Sequence, residues 1–279
     1  MALDLSIPIE STTNLYDDRI ACKLMPMETG IDVSRWQDPT KLNLPEIAKT
    51  HSFLIARATY GVASDPTFRA HIRNARAAGM TVGAYHFFRQ TQGWGEQLAS
   101  YQGELDAVGL TSGDLVPVVD LEWNERYDGK VRADVFNSQG RALVEELRNR
   151  YGDCYVYLSP GFFQTLGKPE WLLKVPWWIA HYTNEKAPWC PFKDWDIWQY
   201  TCKGRVVGYT NDIDINVAKR LVRIAGAPDT GEDDAPPGDD RHSSSVSSAD
   251  LQHIAGLAES AQRLADSLRE LHASLQSGG

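Results

Sequence analysis

Two acids at the end of one apolar run set the terms for the rest of this chain. Leu115-Val-Pro-Val-Val-Asp-Leu-Glu-Trp123 reads as a short, β-branched, buried strand closing on Asp120 and Glu122. Residues two apart on a strand share a face, with Cα atoms roughly 6.5 Å apart. Such a strand delivers two carboxyl groups side by side at the rim of a sheet. Like charges that close raise at least one pKa, which keeps a carboxylic acid protonated near neutral pH. For an isolated Asp-x-Glu, two solvated acids at a strand end is the plainer reading, so the company of the pair decides.

That company is a regular alternation. Strand-like segments at 30–37, 52–58, 80–88, 154–158, 175–182 and 195–200 are interleaved with helical ones at 45–50, 65–78, 95–108, 131–151 and 162–166. Asp65 is the expected N-cap of the second helix, with Pro66 in its first turn and Gly79 at its end. Ile213-Asp-Ile-Asn216 leads into a last helix expected near 217–224. Buried strands alternating with helices predict an α/β fold with a mainly parallel sheet, and their number favours an irregular, TIM-barrel-like β/α barrel. Function in such barrels gathers at the C-terminal strand ends. Asp32, Tyr85, His86, Asp120, Glu122, Tyr157, Trp178 and Asp214 all fall there on this reading.

The formal net charge is −9, but residues 229–240 hold six acids and no base, leaving about −3 elsewhere. Acidity therefore belongs to a linker, and nothing is basic enough to suggest nucleic acid. The opening residues lack a basic and apolar leader pattern, and no run approaches the roughly 18 apolar residues of a membrane span. Cys154 reads as a buried thiol, while Cys190 and Cys202 flank one strand and are placed to approach each other. No Cys-x-x-Cys or His-Glu-x-x-His pattern points to a metal, and His86 and His181 read as structural. Residues 1–28 are read as an N-terminal extension, 29–225 as the barrel and 226–248 as a flexible linker. Residues 249–279 read as an amphipathic helix with about three heptads, suited to oligomerisation, to binding a protein partner or to docking on its own barrel.

The ordered motifs Gly30-Ile-Asp-Val-Ser-Arg-Trp-Gln37, Ala56-Arg-Ala-Thr59, Gly83-Ala-Tyr-His-Phe87, Val119-Asp-Leu-Glu122, Trp178-Ile-Ala-His-Tyr182, Trp198-Gln-Tyr200 and Asp214-Ile-Asn-Val217 resemble glycoside hydrolase family 25, the Chalaropsis-type lysozymes. The resemblance covers roughly residues 29–224. It implies a flattened, irregular β/α barrel that cleaves peptidoglycan between N-acetylmuramic acid and N-acetylglucosamine, with no cofactor. It also implies Glu122 as catalytic acid/base, Asp120 as its partner, Asp32 and Asp214 as further groove carboxylates, and Tyr85, Tyr157, Trp178 and Gln199 as substrate contacts. One departure shows: where many relatives have Glu-Gly after the Arg-Ala-Thr segment, this chain has Tyr60-Gly61. The expected setting is a phage lysin held in the host cytoplasm until release, or a virion-associated lysozyme. Two other readings stay open, a silent glycan-binding or virion structural protein on the same barrel and a chitinase-like N-acetylhexosaminidase.

Overall fold

The computed structural model describes residues 27–226, save 124, 184, 186 and 192–194. The extension before residue 27, Cys22, most of the acidic linker and the expected helix at 249–279 lie outside the described residues. Eight strands close into a barrel. They are β1 (Glu28–Val33), β2 (Phe53–Tyr60), β4 (Thr81–Phe87), β5 (Val118–Asp120), β6 (Tyr155–Leu158), β7 (Trp177–Ala180), β8 (Ile197–Gly204) and β9 (Ile213–Ala218), while the two-residue β3 (Ala63–Ser64) only folds back on β2. Every neighbouring pair from β1 round to β8 is parallel. β9 closes the ring antiparallel to both β8 and β1. The sheet is thus mainly parallel, as the sequence pattern predicts, with β9 as the antiparallel exception.

The two-residue period of the strands sorts the side chains into two layers. Leu54, Ala56, Val82, Ala84, Val119, Val156 and Ile179 face outward and pack against the helices. Phe53, Ile55, Val118, Tyr155, Trp178 and Ile197 face into the barrel, whose lower half they fill. Gly30 stands on the inner face of β1 because a Cβ there would lie 2.4 Å from the Phe53 ring. Farther up the same inner faces the residue types turn polar: Asp32, Arg57, Asp120 and Gln199 are all buried. His86, next to inward-facing Tyr85, points the other way, toward Thr59 Oγ1 and Gln97 Oε1 at 2.6 and 3.2 Å.

Several sequence expectations change here. The helix expected at 217–224 is instead the end of β9 followed by an extended segment. Val116 N donates to Val222 O at 3.1 Å and Ile224 N to Asp114 O at 2.9 Å. Leu221, Val222 and Ile224 thus pack onto the lower barrel core, a burial that outweighs local helix preference. Asp65 lies just ahead of the helix N-cap, which is Thr67, and its Oδ1 accepts from Thr67 N at 3.0 Å. The helix spans Phe68–Ala77, and Asp65 binds Arg57 Nε at 2.8 Å and Arg35 N at 3.0 Å. Cys190 and Cys202 are not joined in a disulfide. The long helix expected at 131–151 runs from Ala133 to Tyr151 with a π turn at Phe136–Gly140. Among the described residues no helix is long and apolar enough to cross a membrane.

Candidate active site

A cavity of about 230 Å³ opens at the upper rim, and all eight sequence-predicted site residues line it: Asp32, Tyr85, Asp120, Glu122, Tyr157, Trp178, Gln199 and Asp214. Asp120 ends β5 and Glu122 follows two residues later, so the strand period brings both carboxyls to one wall. Asp32 and Asp214 arrive by pairing, as direct cross-strand partners on β1 and β9. Asp214 lies near the start of β9, not at a C-terminal strand end. It reaches this rim only because β9 runs against the other strands. A larger cavity of about 650 Å³ lies at the other end of the barrel, beside Trp177 and Lys219. Its two acids, Asp153 and Asp196, are bound by Arg148 and Arg220, so volume alone does not locate the chemistry.

A hydrogen-bond scaffold fixes the acids. Asp32 Oδ2 accepts from Gln199 Nε2 at 2.8 Å and from Asn216 Nδ2 at 2.9 Å. Asn216 in turn accepts from Trp178 Nε1 at 2.8 Å. Gln199 Oε1 accepts from Tyr182 at 2.6 Å and Tyr157 at 2.8 Å. Both functional atoms of Gln199 are thereby engaged, and Trp178 is only 1% exposed. The geometry makes these two residues supports of the floor more than surfaces for a ligand. Asp120 is the contrast: its Oδ1 is buried with no hydrogen-bond partner among the described residues.

All four carboxyls are held above the usual carboxylate range. Burial is the main cause for each. Asp32 is pushed well up by burial and then by the Asp214 charge, against the two amide hydrogen bonds. Asp214 rises to about 6, with a hydrogen bond from Asp32 pulling it back. Asp120 rises strongly through burial and the Glu122 charge, eased by Arg57. Glu122 rises through burial and the Asp214 charge, opposed by a hydrogen bond from Tyr157. Repulsion within the Asp120–Glu122 pair, expected from the sequence, is felt at Asp120. Asp120 is the more deeply buried member, so the repulsion falls on it. The Tyr157 hydroxyl reaches both Gln199 and Glu122, and one proton serves one of them at a time.

Sequence reasoning passed over Asn216, Tyr182, Trp36 and Arg57. Asn216 was within reach, since it stands two residues after Asp214 and shares its face once the segment is read as a strand. Trp36 lines the cavity while 73% exposed. Tyr60, at the departure from the family pattern, stacks at 4.6 Å on Phe87, which lines the cavity, with the Arg89 guanidinium 4.8 Å from its ring. Among the described residues no group of three or more His, Cys, Asp or Glu is arranged to hold a metal ion.

The family model for glycosyl hydrolases family 25 matches residues 31–209. The chain belongs to that family. This family 25 enzyme is 32% identical over 212 residues to Lysozyme M1 of Streptomyces globisporus, the match covering 70% of each chain. Its fold is similar to that of a bacterial lysozyme from Streptomyces coelicolor, with TM-score 0.60, 29% identity, and coverage of 68% of this chain and 90% of that one. A family 25 glycosyl hydrolase from Bacillus anthracis gives TM-score 0.60 at 25% identity, covering 68% and 88%. The enzyme is thus a glycoside hydrolase, with a barrel similar to those of bacterial lysozymes.

Proposed function

We propose that this enzyme is an N-acetylmuramidase that cleaves peptidoglycan at the β-1,4 bond following N-acetylmuramic acid, with the substrate's own 2-acetamido oxygen as nucleophile. The observation that carries this reading is the unpartnered, buried Oδ1 of Asp120 in a cavity shared with Glu122. A buried acceptor without a donor is costly. An acetamido N–H of a bound amino sugar supplies one. That hydrogen bond favours the Asp120 anion, so the proton contested by the pair settles on Glu122.

Protonated Glu122 then donates to the glycosidic oxygen as the C1–O bond breaks, and the acetamido oxygen closes on C1. Asp120, Asp214 and Asp32 stand where the positive charge develops. The leaving sugar departs, and ionised Glu122 takes the proton of an incoming water that reopens the ring. In this second step the Tyr157 proton turns to Glu122, because Tyr182 still serves Gln199. The proposed biological setting is a phage lysin or virion-associated lysozyme, which zymography of virions and infected-cell lysates assigns.

Digestion of purified peptidoglycan followed by reducing-end analysis tests the activity. N-acetylmuramic acid is the expected new end. N-acetylglucosamine ends would overturn the assignment in favour of a hexosaminidase, and no cleavage at all in favour of a glycan-binding barrel. Glu122→Gln is expected to lower turnover about 10²–10⁴-fold with the fold intact.

A further inference from the structure

A buried histidine stands behind one wall of the acid-lined cavity. His71 lies on the buried face of the helix Phe68–Ala77 with Phe68, Ile72 and Ala75, and none of its surface meets solvent. Neither ring nitrogen makes a hydrogen bond among the described residues. In a neutral imidazole one nitrogen is a donor and the other an acceptor, so two polar groups are buried here without partners. An apolar side chain of similar size would avoid that cost.

The ring faces a turn that reaches the cavity. Residues 34–38 leave the end of β1, and Ser34 and Trp36 of this turn line the cavity wall. Its hydrogen bonds are largely its own. Gln37 N donates to Ser34 O at 3.0 Å, Ser34 N to Gln37 Oε1 at 3.0 Å and Trp36 N to Ser34 Oγ at 3.4 Å. Arg35 N, donating to Asp65 Oδ2 at 3.0 Å, ties the turn to the body, while the Arg35 guanidinium lies 4.9 Å from the Trp36 ring. Burial holds His71 below the ordinary histidine range, against the backbone of Ser34, the Asp65 charge, the backbone of Gln37 and the Asp38 charge. A backbone group that favours imidazolium is a carbonyl oxygen. Two carbonyls of the turn therefore stand before a ring with two nitrogens.

We propose that His71 is a positioning residue for Trp36: once protonated, it donates to the Ser34 and Gln37 carbonyls and fastens the turn that holds Trp36 at the cavity mouth. The neutral ring has one donor for two carbonyls and turns a lone pair toward the other oxygen, so it holds the turn poorly. The nearby acids tolerate either form, because Asp65 keeps Arg57 Nε at 2.8 Å and Asp38 keeps Lys41 Nζ at 4.0 Å. By linkage, a glycan that needs the fastened turn binds more tightly as His71 gains its proton.

Nuclear magnetic resonance of the full chain tests this, with Trp36 followed as 5-fluorotryptophan and the His71 ring assigned through the isotope-labelled backbone. The Trp36 fluorine signal is expected to move with the same midpoint as the His71 ring proton, below about pH 6.5. In His71→Gln that component is expected to vanish, leaving the part caused by the cavity acids. Kinetics on soluble peptidoglycan strands give a second reading. From about pH 6.5 to about 4.5 the wild-type KM should fall about threefold to tenfold relative to that of His71→Gln, with the same kcat profile in both. A merely structural His71 would leave the variant less stable but the KM ratio and the Trp36 signal independent of its titration, and that result would overturn the proposal. So would a His71 ring that stays neutral down to about pH 4.5 in the wild type, a measurement that needs no variant to fold. Only the kinetic arm rests on the peptidoglycan reading above, so a failure of that reading leaves the resonance arm to decide.

Discussion

Asp214→Asn is expected to stabilise this enzyme at neutral pH while abolishing most of its activity. The carboxyl has an ordinary value of 3.8 and rises to about 6 in the folded protein. A raised carboxyl contributes stability that is complete below 3.8 and lost as pH rises through about 6. Above that pH the fold holds an ionised Asp214 that burial disfavours. The difference of about two pH units corresponds to about 3 kcal/mol at most. Asp214 is only half-buried, so solvent screening reduces this, and about 1–3 kcal/mol is the expected gain at pH 7.5. Removing the Asp214 charge also relieves Asp32, whose pKa that charge raises. With a urea m-value of about 1–3 kcal/mol/M, the unfolding midpoint should rise by about 0.5–1 M at pH 7.5 and hardly move at pH 4. A lower midpoint at pH 7.5, or equal shifts at both pH values, would refute the claim that the site holds strained acids. Stability gained by removing a functional group is the usual trade at an active site.

Two further outcomes follow from the same geometry. Asp120→Asn should reduce kcat about 10²-fold or more and remove the acid limb of the kcat/KM profile, because that limb reports the ionisation of Asp120; an unchanged limb would sink its role as acceptor for the acetamido N–H. Gly30→Ala forces a methyl against the Phe53 ring and should cost about 1–3 kcal/mol, read as a fall in thermal midpoint of several degrees; an unchanged midpoint would show that the lower barrel core yields freely.

Much of the site was legible because strand periodicity is a local property. Val116 to Glu122 places its two acids on one face whatever the rest of the chain does, and the same two-residue rule puts Tyr85, Tyr157 and Trp178 on inner faces. Gln199 was legible as a member of the site but not in its job, since its partners come from three other parts of the chain. Asn216 was hidden by reading β9 as the approach to a helix. The reason is energetic: residues 217–224 gain more from burying Val222 and Ile224 against the barrel floor than from local helical bonding.

The amino-acid sequence by itself determined the strands, their buried faces and the residue types at the barrel mouth, because these depend on neighbours two to four positions away. Only the tertiary structure decided that β9 runs antiparallel, which carries Asp214 from a strand start to the rim of the acid-lined cavity and sets Asn216 against Asp32 across 184 residues of chain. It also decided which acid bears the strain, since depth of burial and not spacing makes Asp120 the more reluctant to ionise. Pairing and burial are properties of the closed barrel, and no local stretch of sequence contains them.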